Sequence, residues 1–324
     1  MSKENITIKE TTYDLLWDEF IMESINKSFY SLSEIINLEK EIKKYFVYKN
    51  NEIIASFSLV TKDKNIILPT FSIYTPINYK EFTNIKLSSA NSMKFIINDA
   101  INKFLTTNFN EILISYDFYT NDIRPYIWRG YPDTKKGYEI KIKYTYLSEI
   151  KNLDEKNYMN SKIFINSSET NRREIRNSLT KKYEFKELFS KKIFFSLKNS
   201  SYKIHNKEMD NTHYEKIFKV YENLEKKKLL KMFVTFENSE PVFMTIFSLI
   251  KNKSIFLHSG RSSIVNNNNL ISIFSIFKSI IELSKNGIEE LDFEGMNSPN
   301  NSKSKIKFGG YLMPYYNLKL NTGV

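Results

Sequence analysis

One order of local patterns runs twice through this chain, and that repetition limits its fold more than any single motif does. In the first half, Lys44–Tyr48 and Glu52–Val60 read as strands, and Lys49-Asn50-Asn51 between them reads as a hairpin turn. An extended run over Asn65–Thr75 follows, interrupted by Pro69 and ended by Pro76. Ser88–Asn108 places Met93, Ile96, Ile97, Ala100, Ile101, Phe104 and Leu105 on one broad apolar face, the spacing of a long amphipathic helix. A strand over Glu111–Tyr116, an irregular segment from Asp117 to Lys136 and a strand over Tyr138–Leu147 complete the half. In the second half, strands over Lys231–Phe236 and Pro241–Ile250 flank the turn Asn238-Ser239. A strand over Ser254–Ser259 ends at Gly260-Arg261, and a helix over Asn268–Lys285 is stopped by Asn286-Gly287. A strand is then predicted over Ile288–Glu294. Residue identity between the halves is negligible, so the repeat is one of element order.

The predicted class is α+β, a mixed α/β architecture of two tandem domains, each a mixed sheet flanked by helices. The expected divisions are residues 1–150, a connecting region 151–189, and residues 190–324. The connector holds a basic helix over Ser167–Lys182 with Arg172, Arg173 and Arg176, which is either a solvated face or an arginine clamp for phosphate. Outside the repeat, Thr11–Ser28 and Asp210–Lys228 read as helices, and Lys191–Leu197 as a strand.

The formal net charge of +11 favours an anionic partner. The lysines are spread along the chain rather than clustered, so nucleic acid is not expected. There is no cysteine, which excludes disulfides, Cys–zinc sites and a thiolate nucleophile. His205, His213 and His258 lack metal-ligand spacing, and no metal is expected. No G-x-S-x-G elbow marks a serine hydrolase. Neither an apolar leader nor a membrane-length apolar run is visible, so a soluble, cytoplasmic protein is expected, with a homodimer left open.

Chemistry concentrates between Ile288 and Tyr316. Glu290, Asp292 and Glu294 would share one strand face, and such a row is costly to bury unpaired, so it is predicted to face solvent, a cation or a substrate. Gly295 ends the strand and Asn297-Ser298-Pro299 reads as a turn. A crossing rich in lysine (Lys303, Lys305, Lys307) leads to Phe308-Gly309-Gly310. An acidic edge strand with a basic loop and no site has the same pattern.

A strand, a loop, a long helix and a strand with polar groups at its end resembles the acyl-CoA-binding half of the GNAT acetyltransferase fold. Two such halves in tandem resemble the FemAB-like branch of that superfamily. Asp292-Phe293-Glu294-Gly295, Asn297-Ser298-Pro299 and Lys307-Phe308-Gly309-Gly310 are similar to that branch's D-F-x-G … K-x-x-F-G-G ending, with Lys305 the alternative match for its lysine. Asp122-Ile123-Arg124-Pro125, Trp128 and Tyr144-Thr145-Tyr146 resemble its D-(I/V)-R-P … W … Y-T-Y run, and Arg172–Arg176 sits where related chains carry a basic helix. The resemblance covers nearly the whole chain. It implies one of two activities: transfer of amino acids from aminoacyl-tRNA to peptidoglycan precursors, or transfer of acyl groups from coenzyme A, including to nucleotide-linked deoxyamino sugars. The N-S-P and F-G-G ending resembles the second type, and the long coiled-coil insertion of some tRNA-dependent enzymes is missing. The expected function is therefore N-acyl transfer from acyl-CoA to a nucleotide-linked amino sugar, in surface polysaccharide (O-antigen) biosynthesis. The alternatives are a Fem-type, aminoacyl-tRNA-dependent peptidyltransferase and a non-catalytic GNAT-like binding module. A polyamine or antibiotic N-acetyltransferase would need an acidic pocket, which suits this basic chain poorly.

The resemblance also implies site residues. Coenzyme A is expected in the second half, its pyrophosphate near Arg261, Asn268 and Asn269 and its thioester near Ser259 and Gly260. The loop Arg261-Ser262-Ser263-Ile264-Val265-Asn266 departs from the (Q/R)-x-x-G-x-(G/A) pattern, with Ile264 in place of glycine. Glu294 is expected as catalytic base because it lies nearest the strand end, with Asp292 one step deeper and paired with Lys305 or Lys307. His258 alternates with Leu257 on a core-like strand and reads as structural. Asp122, Arg124, Trp128, Arg172, Asn297, Ser298, Lys305 and Lys307 are expected to bind the acceptor in a cleft between the halves, the basic ones on its diphosphate.

Overall fold

Residues 6–83, 85–133, 136–265 and 269–322 are described by the structure, a computed structural model, apart from the side chains of residues 300 and 301. The chain divides into two compact units, Met1–Lys143 with Pro314–Val324, and Tyr144–Met313.

In the first unit, β1 (Ile6–Thr11) leads to α1 (Asp14–Glu23), shorter than the predicted Thr11–Ser28. β2 (Ile42–Lys49) and β3 (Glu52–Lys62) form the predicted hairpin. Asn50 and Asn51 both take positive φ, the mirror-image turn that matches strand twist. β4 (Asn65–Ile67), β5 (Ile77–Tyr79), α2 (Leu87–Asn108) and β6 (Glu111–Tyr116) follow. β4 and β6 are parallel, with Asn65 opposite Glu111, and the other strand pairs of this unit are antiparallel. Ile97, Ile101 and Leu105 of α2 lie in one core with Val47, Ile112 and Ile114. The last strand of this unit is the end of the closing strand, Tyr311–Asn321, which pairs with β6 from Tyr316 opposite Tyr116 to Asn321 opposite Glu111. Element order alone assigned that strand to the second half.

The second unit takes up the chain within β7 (Glu139–Glu149). α3 (Glu169–Leu179) is the predicted basic helix, and its Ile175 is fully buried in the second unit's core, so residues 151–189 belong to this unit. β8 (Glu184–Glu187) precedes α4 (Lys191–Ile204). The predicted strand Lys191–Leu197 is thus the start of a helix, capped by Ser190, whose hydroxyl accepts the Ile193 amide at 3.4 Å. α5 (Asn211–Lys226), β9 (Leu230–Glu237), β10 (Glu240–Ser248), β11 (Lys253–Arg261), α6 (Asn269–Lys285), β12 (Glu290–Asp292) and α7 (Pro299–Lys305) complete it. The β9–β10 hairpin turns on Asn238 and Ser239, both at positive φ, as its counterpart does in the first unit. The sheet order is β7-β12-β11-β10-β9-β8, with β11 and β12 parallel and the other neighbours antiparallel. Ile271, Phe277, Ile280 and Ile281 of α6 share a core with Phe247, Phe256, Leu291 and Phe293.

Candidate functional site

β11 and β12 pair over Lys253–Ile255 and Glu290–Asp292 and then part. β12 ends at Asp292, while β11 runs on to Arg261, still paired with β10. Among the described residues, no strand lies on the β12 side of β11 beyond Ile255. Backbone groups on such an edge call for another partner. The first unit treats its parallel pair differently. There, Thr75 donates its amide to the Ser115 carbonyl at 2.6 Å, and Ser115 donates its amide to the Thr75 hydroxyl at 2.8 Å and its hydroxyl to the Ile73 carbonyl at 2.8 Å. The chain itself thus covers β6 beyond the end of β4.

The acids after β12 do not form the straight row that strand alternation predicts. Glu294 has φ of 55° and Gly295 of 45°, so the backbone turns away after Phe293. Asp292 is buried, not solvent-facing, and its Oδ1 accepts the Thr145 hydroxyl and the Glu294 amide, the latter at 2.8 Å. Lys307, expected near Asp292, pairs with Glu174 at 2.6 Å. Lys305 donates to the Glu294 carbonyl at 2.8 Å. Burial lowers the Lys305 pKa, opposed by the charges of Glu294 and Asp292.

Of the segments that carry the family resemblance, those from Tyr144 to Gly310 lock together within this unit. Tyr146 accepts the Phe293 amide on its carbonyl at 2.9 Å, and Tyr144 accepts the Met296 amide at 3.1 Å. Asn297 accepts the Tyr144 amide at 2.8 Å and donates to the Tyr144 carbonyl at 3.1 Å. Ser298 is exposed at the cap position of α7. The Tyr146 hydroxyl accepts the Gly310 amide at 2.8 Å, and Phe293 stacks on Phe308 with ring centres 5.4 Å apart. Gly309 has φ of 52°, and a Cβ there would lie 2.1 Å from the Ile163 carbonyl oxygen. The double glycine is therefore a close backbone crossing.

On the other face of β11, α4 crosses directly over Gly260, where a Cβ would lie 2.9 Å from the Leu197 carbonyl carbon. That helix, rather than room for a ligand, takes the space of the missing side chain. The crossing brings the Lys198 ammonium to 3.4 Å from the Ser259 carbonyl and 5.3 Å from the centre of the Tyr214 ring. Burial lowers the Lys198 pKa to about 8. The buried Tyr221 hydroxyl lies 3.2 Å from His258 Nε2. Burial, then the charge of Glu294, raises the Tyr221 pKa, and burial, then the charge of Lys198, holds His258 well below its usual value. The four groups form one electrostatic cluster, with Tyr221 against His258, the charge of Glu294 felt at Tyr221 and that of Lys198 at His258. Sequence reasoning singled out only Glu294 and His258 from it, because Lys198 and Tyr221 sit in no motif.

At the expected pyrophosphate loop, the amides of residues 261 to 265 all have acceptors within the protein. Arg261 donates to the Ser201 hydroxyl at 2.7 Å, Ser262 to the Val242 carbonyl at 2.9 Å and Ser263 to the Ser200 hydroxyl at 2.9 Å. Ile264 donates to the Ser262 hydroxyl at 3.3 Å and Val265 to the Ser262 carbonyl at 3.4 Å. Asn268 lies outside the described residues, and Asn269 begins α6. Beside that helix start is a hollow of about 400 Å³ lined by Lys181, Lys182, Tyr183, Glu237, Asn238 and Leu270. The two lysines were not among the expected site residues.

In the first unit, Asp122 grips Arg124 through both carboxylate oxygens, at 2.7 and 2.6 Å. These bonds lower the Asp122 pKa. The guanidinium lies 4.9 Å from the Phe95 ring centre and 5.7 Å from that of Trp128. Asp122 and Arg124 line a cleft of about 590 Å³ with Asn91, Asn121, Ile127, Ile140 and Ile142. Arg172 is half-buried on α3 in the second unit. Among the described residues, no group of three His, Asp or Glu could hold a metal, and no helix is long and apolar enough to cross a membrane.

No family model and no curated protein matches this sequence. Solved structures do. A crystal structure of FemX, 12% identical, covers 98% of this chain and 98% of its own, with a TM-score of 0.65. The L-PGS of Bacillus licheniformis, 10% identical, covers 96% and 93% with a TM-score of 0.55. A tandem GNAT protein from the clavulanic acid biosynthesis pathway, 6% identical, covers 99% of each chain with a TM-score of 0.50. The fold is the FemAB-like, tandem GNAT type. At these identities the likeness is one of architecture alone.

Proposed function

We propose that this protein transfers an acyl group to an amine, with the acyl donor held by the second unit along the open side of β11. The observation that carries this reading is the parting of β11 and β12 beside Glu294, which leaves β11 open past Ile255, whereas in the first unit the chain itself lies along β6 past the end of β4. The acyl carbonyl would lie against β11 beyond Ile255, where backbone N–H groups can take the charge of the tetrahedral intermediate. Glu294 would take the amine's proton. Asp292, bonded to the Glu294 amide, holds that residue in its left-handed turn.

The donor we favour is acyl-CoA, and the acceptor the amino group of a nucleotide-linked deoxyamino sugar, following the N-S-P and F-G-G ending. With the amides of 261–265 already used, Lys181, Lys182 and the start of α6 are the groups to meet the CoA pyrophosphate, since a helix N-terminus favours anions. Arg124 is the group we assign to the acceptor's phosphates. Asp122 presents Arg124 as a fixed fork suited to phosphate oxygens.

A second donor, aminoacyl-tRNA, is favoured by those same occupied amides and by the net charge of +11. Thermal unfolding separates the two, because a ligand specific to the native state raises its apparent stability. Acyl-CoA is expected to raise the Tm, and Lys181→Glu with Lys182→Glu to abolish the rise. A rise with charged tRNA alone would replace the first donor by the second. A rise with neither donor nor with nucleotide sugars would leave a binding module without this chemistry.

A further inference from the structure

We propose that Lys198 is the acid that protonates the donor's leaving group. This deepens the acyl-transfer reading and rests on it. Three elements place the groups. α4 crosses β11 at Gly260 and sets the Lys198 ammonium 3.4 Å from the Ser259 carbonyl, beyond the point where β11 has left β12. α5 supplies Tyr221, whose hydroxyl lies 3.2 Å from His258 Nε2 on β11. The turn after β12 supplies Glu294, whose charge is felt at Tyr221.

The surroundings of Lys198 suit a proton donor. It faces Ser259 and His258 from β11 and the ring of Tyr214 from α5, whose hydroxyl bonds to that of Tyr202 at 2.9 Å. Among the described residues no carboxylate pairs with it, so nothing holds its proton by charge. Burial brings its pKa to about 8. A thiol has a pKa of about 8.5, so donor and leaving group are matched.

The proton count closes. The amine nitrogen bonds to the acyl carbon and gives a proton to Glu294. The carbon–sulfur bond breaks with its electron pair on sulfur, and sulfur takes a proton from Lys198. Glu294 then gives its proton to water, and Lys198 takes one from water. The products are an amide and a thiol, and the enzyme is unchanged. An oxygen ester follows the same count and needs the acid more, because an alkoxide is a poorer leaving group.

The test uses the full chain and one acyl group on two donors, its CoA thioester and its nitrothiophenyl ester, whose thiolate leaves without a proton. Lys198→Met is expected to lower kcat/KM for the CoA thioester roughly a hundredfold, to remain near wild type with the nitrothiophenyl ester, and to lose the fall in kcat above about pH 8. Lys198→Arg keeps the charge but holds its proton, and is expected to fail like Lys198→Met. Equal losses with both donors, or an unchanged basic limb, would overturn the proposal. Should Lys198→Met not fold, Lys198→Arg carries the test through the same comparison of the two donors. Wild-type protein inactive with both donors would instead overturn the acyl-transfer reading itself, and this inference with it.

Discussion

Thr145 donates its hydroxyl to Oδ1 of Asp292, and the same oxygen receives the Glu294 amide at 2.8 Å. Both side chains are buried. A carboxylate that takes two donors on one oxygen is a fixture of the turn, which is why the proposed reaction assigns the amine's proton to Glu294. Thr145→Val keeps the shape and removes one donor to a buried charge. It is expected to cost about 1.5–3 kcal/mol, the range for hydrogen bonds to charged groups. Urea unfolding measures it, and a loss below about 0.5 kcal/mol would mean that the bond does not hold the turn.

Gly309 and Gly287 both have positive φ, but only Gly309 is crowded. Around Gly287 a Cβ would meet nothing within 4 Å. Gly287→Ala should therefore cost only the left-handed backbone penalty, about 1–2 kcal/mol. Gly309→Ala adds overlap with the Ile163 backbone and should cost at least about 1–3 kcal/mol more. Equal losses would show that the Phe308–Gly310 segment gives way freely, contrary to the close crossing seen here.

The long helices were legible because their apolar residues recur at helical spacing, and the two hairpins because Asn-rich turns tolerate positive φ. Lys191–Leu197 misled because Ile193, Phe194, Phe195 and Leu197 form a short apolar run that periodicity cannot assign. In the fold, Phe194 and Leu197 are buried one helical turn apart, and the helix continues to Ile204. The C-terminal motif was legible as a cluster, yet its division of labour was not. Strand alternation was carried two residues too far, past the point where Glu294 turns left-handed. Lys198 and Tyr221 were out of reach for another reason. Their neighbours on β11 lie far along the chain, and only the crossing of α4 over Gly260 brings them together.

Lys198 also makes stability depend on pH. Its folded-state pKa of about 8 lies below its ordinary 10.5. Between those values the unfolded chain binds more protons than the folded one, so this group's contribution rises with pH and is lost as pH falls through the window. Other lysines and tyrosines titrate there too, so the informative quantity is the difference between proteins. Lys198→Met should unfold with a flatter pH dependence between about pH 8 and 10.5 than wild type. His258 has the same sign at lower pH, since its folded-state pKa lies well below 6.5. Its contribution falls as the solution is acidified below that value, and His258→Gln should lessen the fall. Parallel curves for wild type and Lys198→Met would mean that this ammonium is as well hydrated in the folded protein as in the unfolded chain.

Glu294 carries the sharpest prediction. Its backbone is held from both sides, the amide by Asp292 and the carbonyl by Lys305 at 2.8 Å, so its side chain can change without releasing the turn. Glu294→Gln keeps the shape and removes the basicity. It is expected to lower kcat by roughly a hundredfold or more, a typical general-base contribution, with little change in Tm. Asp292→Ala should do the reverse in stability, because it leaves the Thr145 hydroxyl and the Glu294 amide without their acceptor. Comparing the two variants separates chemistry from scaffolding. Near-wild-type kcat for Glu294→Gln at about pH 7 and again at about pH 6 would remove Glu294 as the base. Proton removal through water would then be the better account of how the amine becomes a nucleophile.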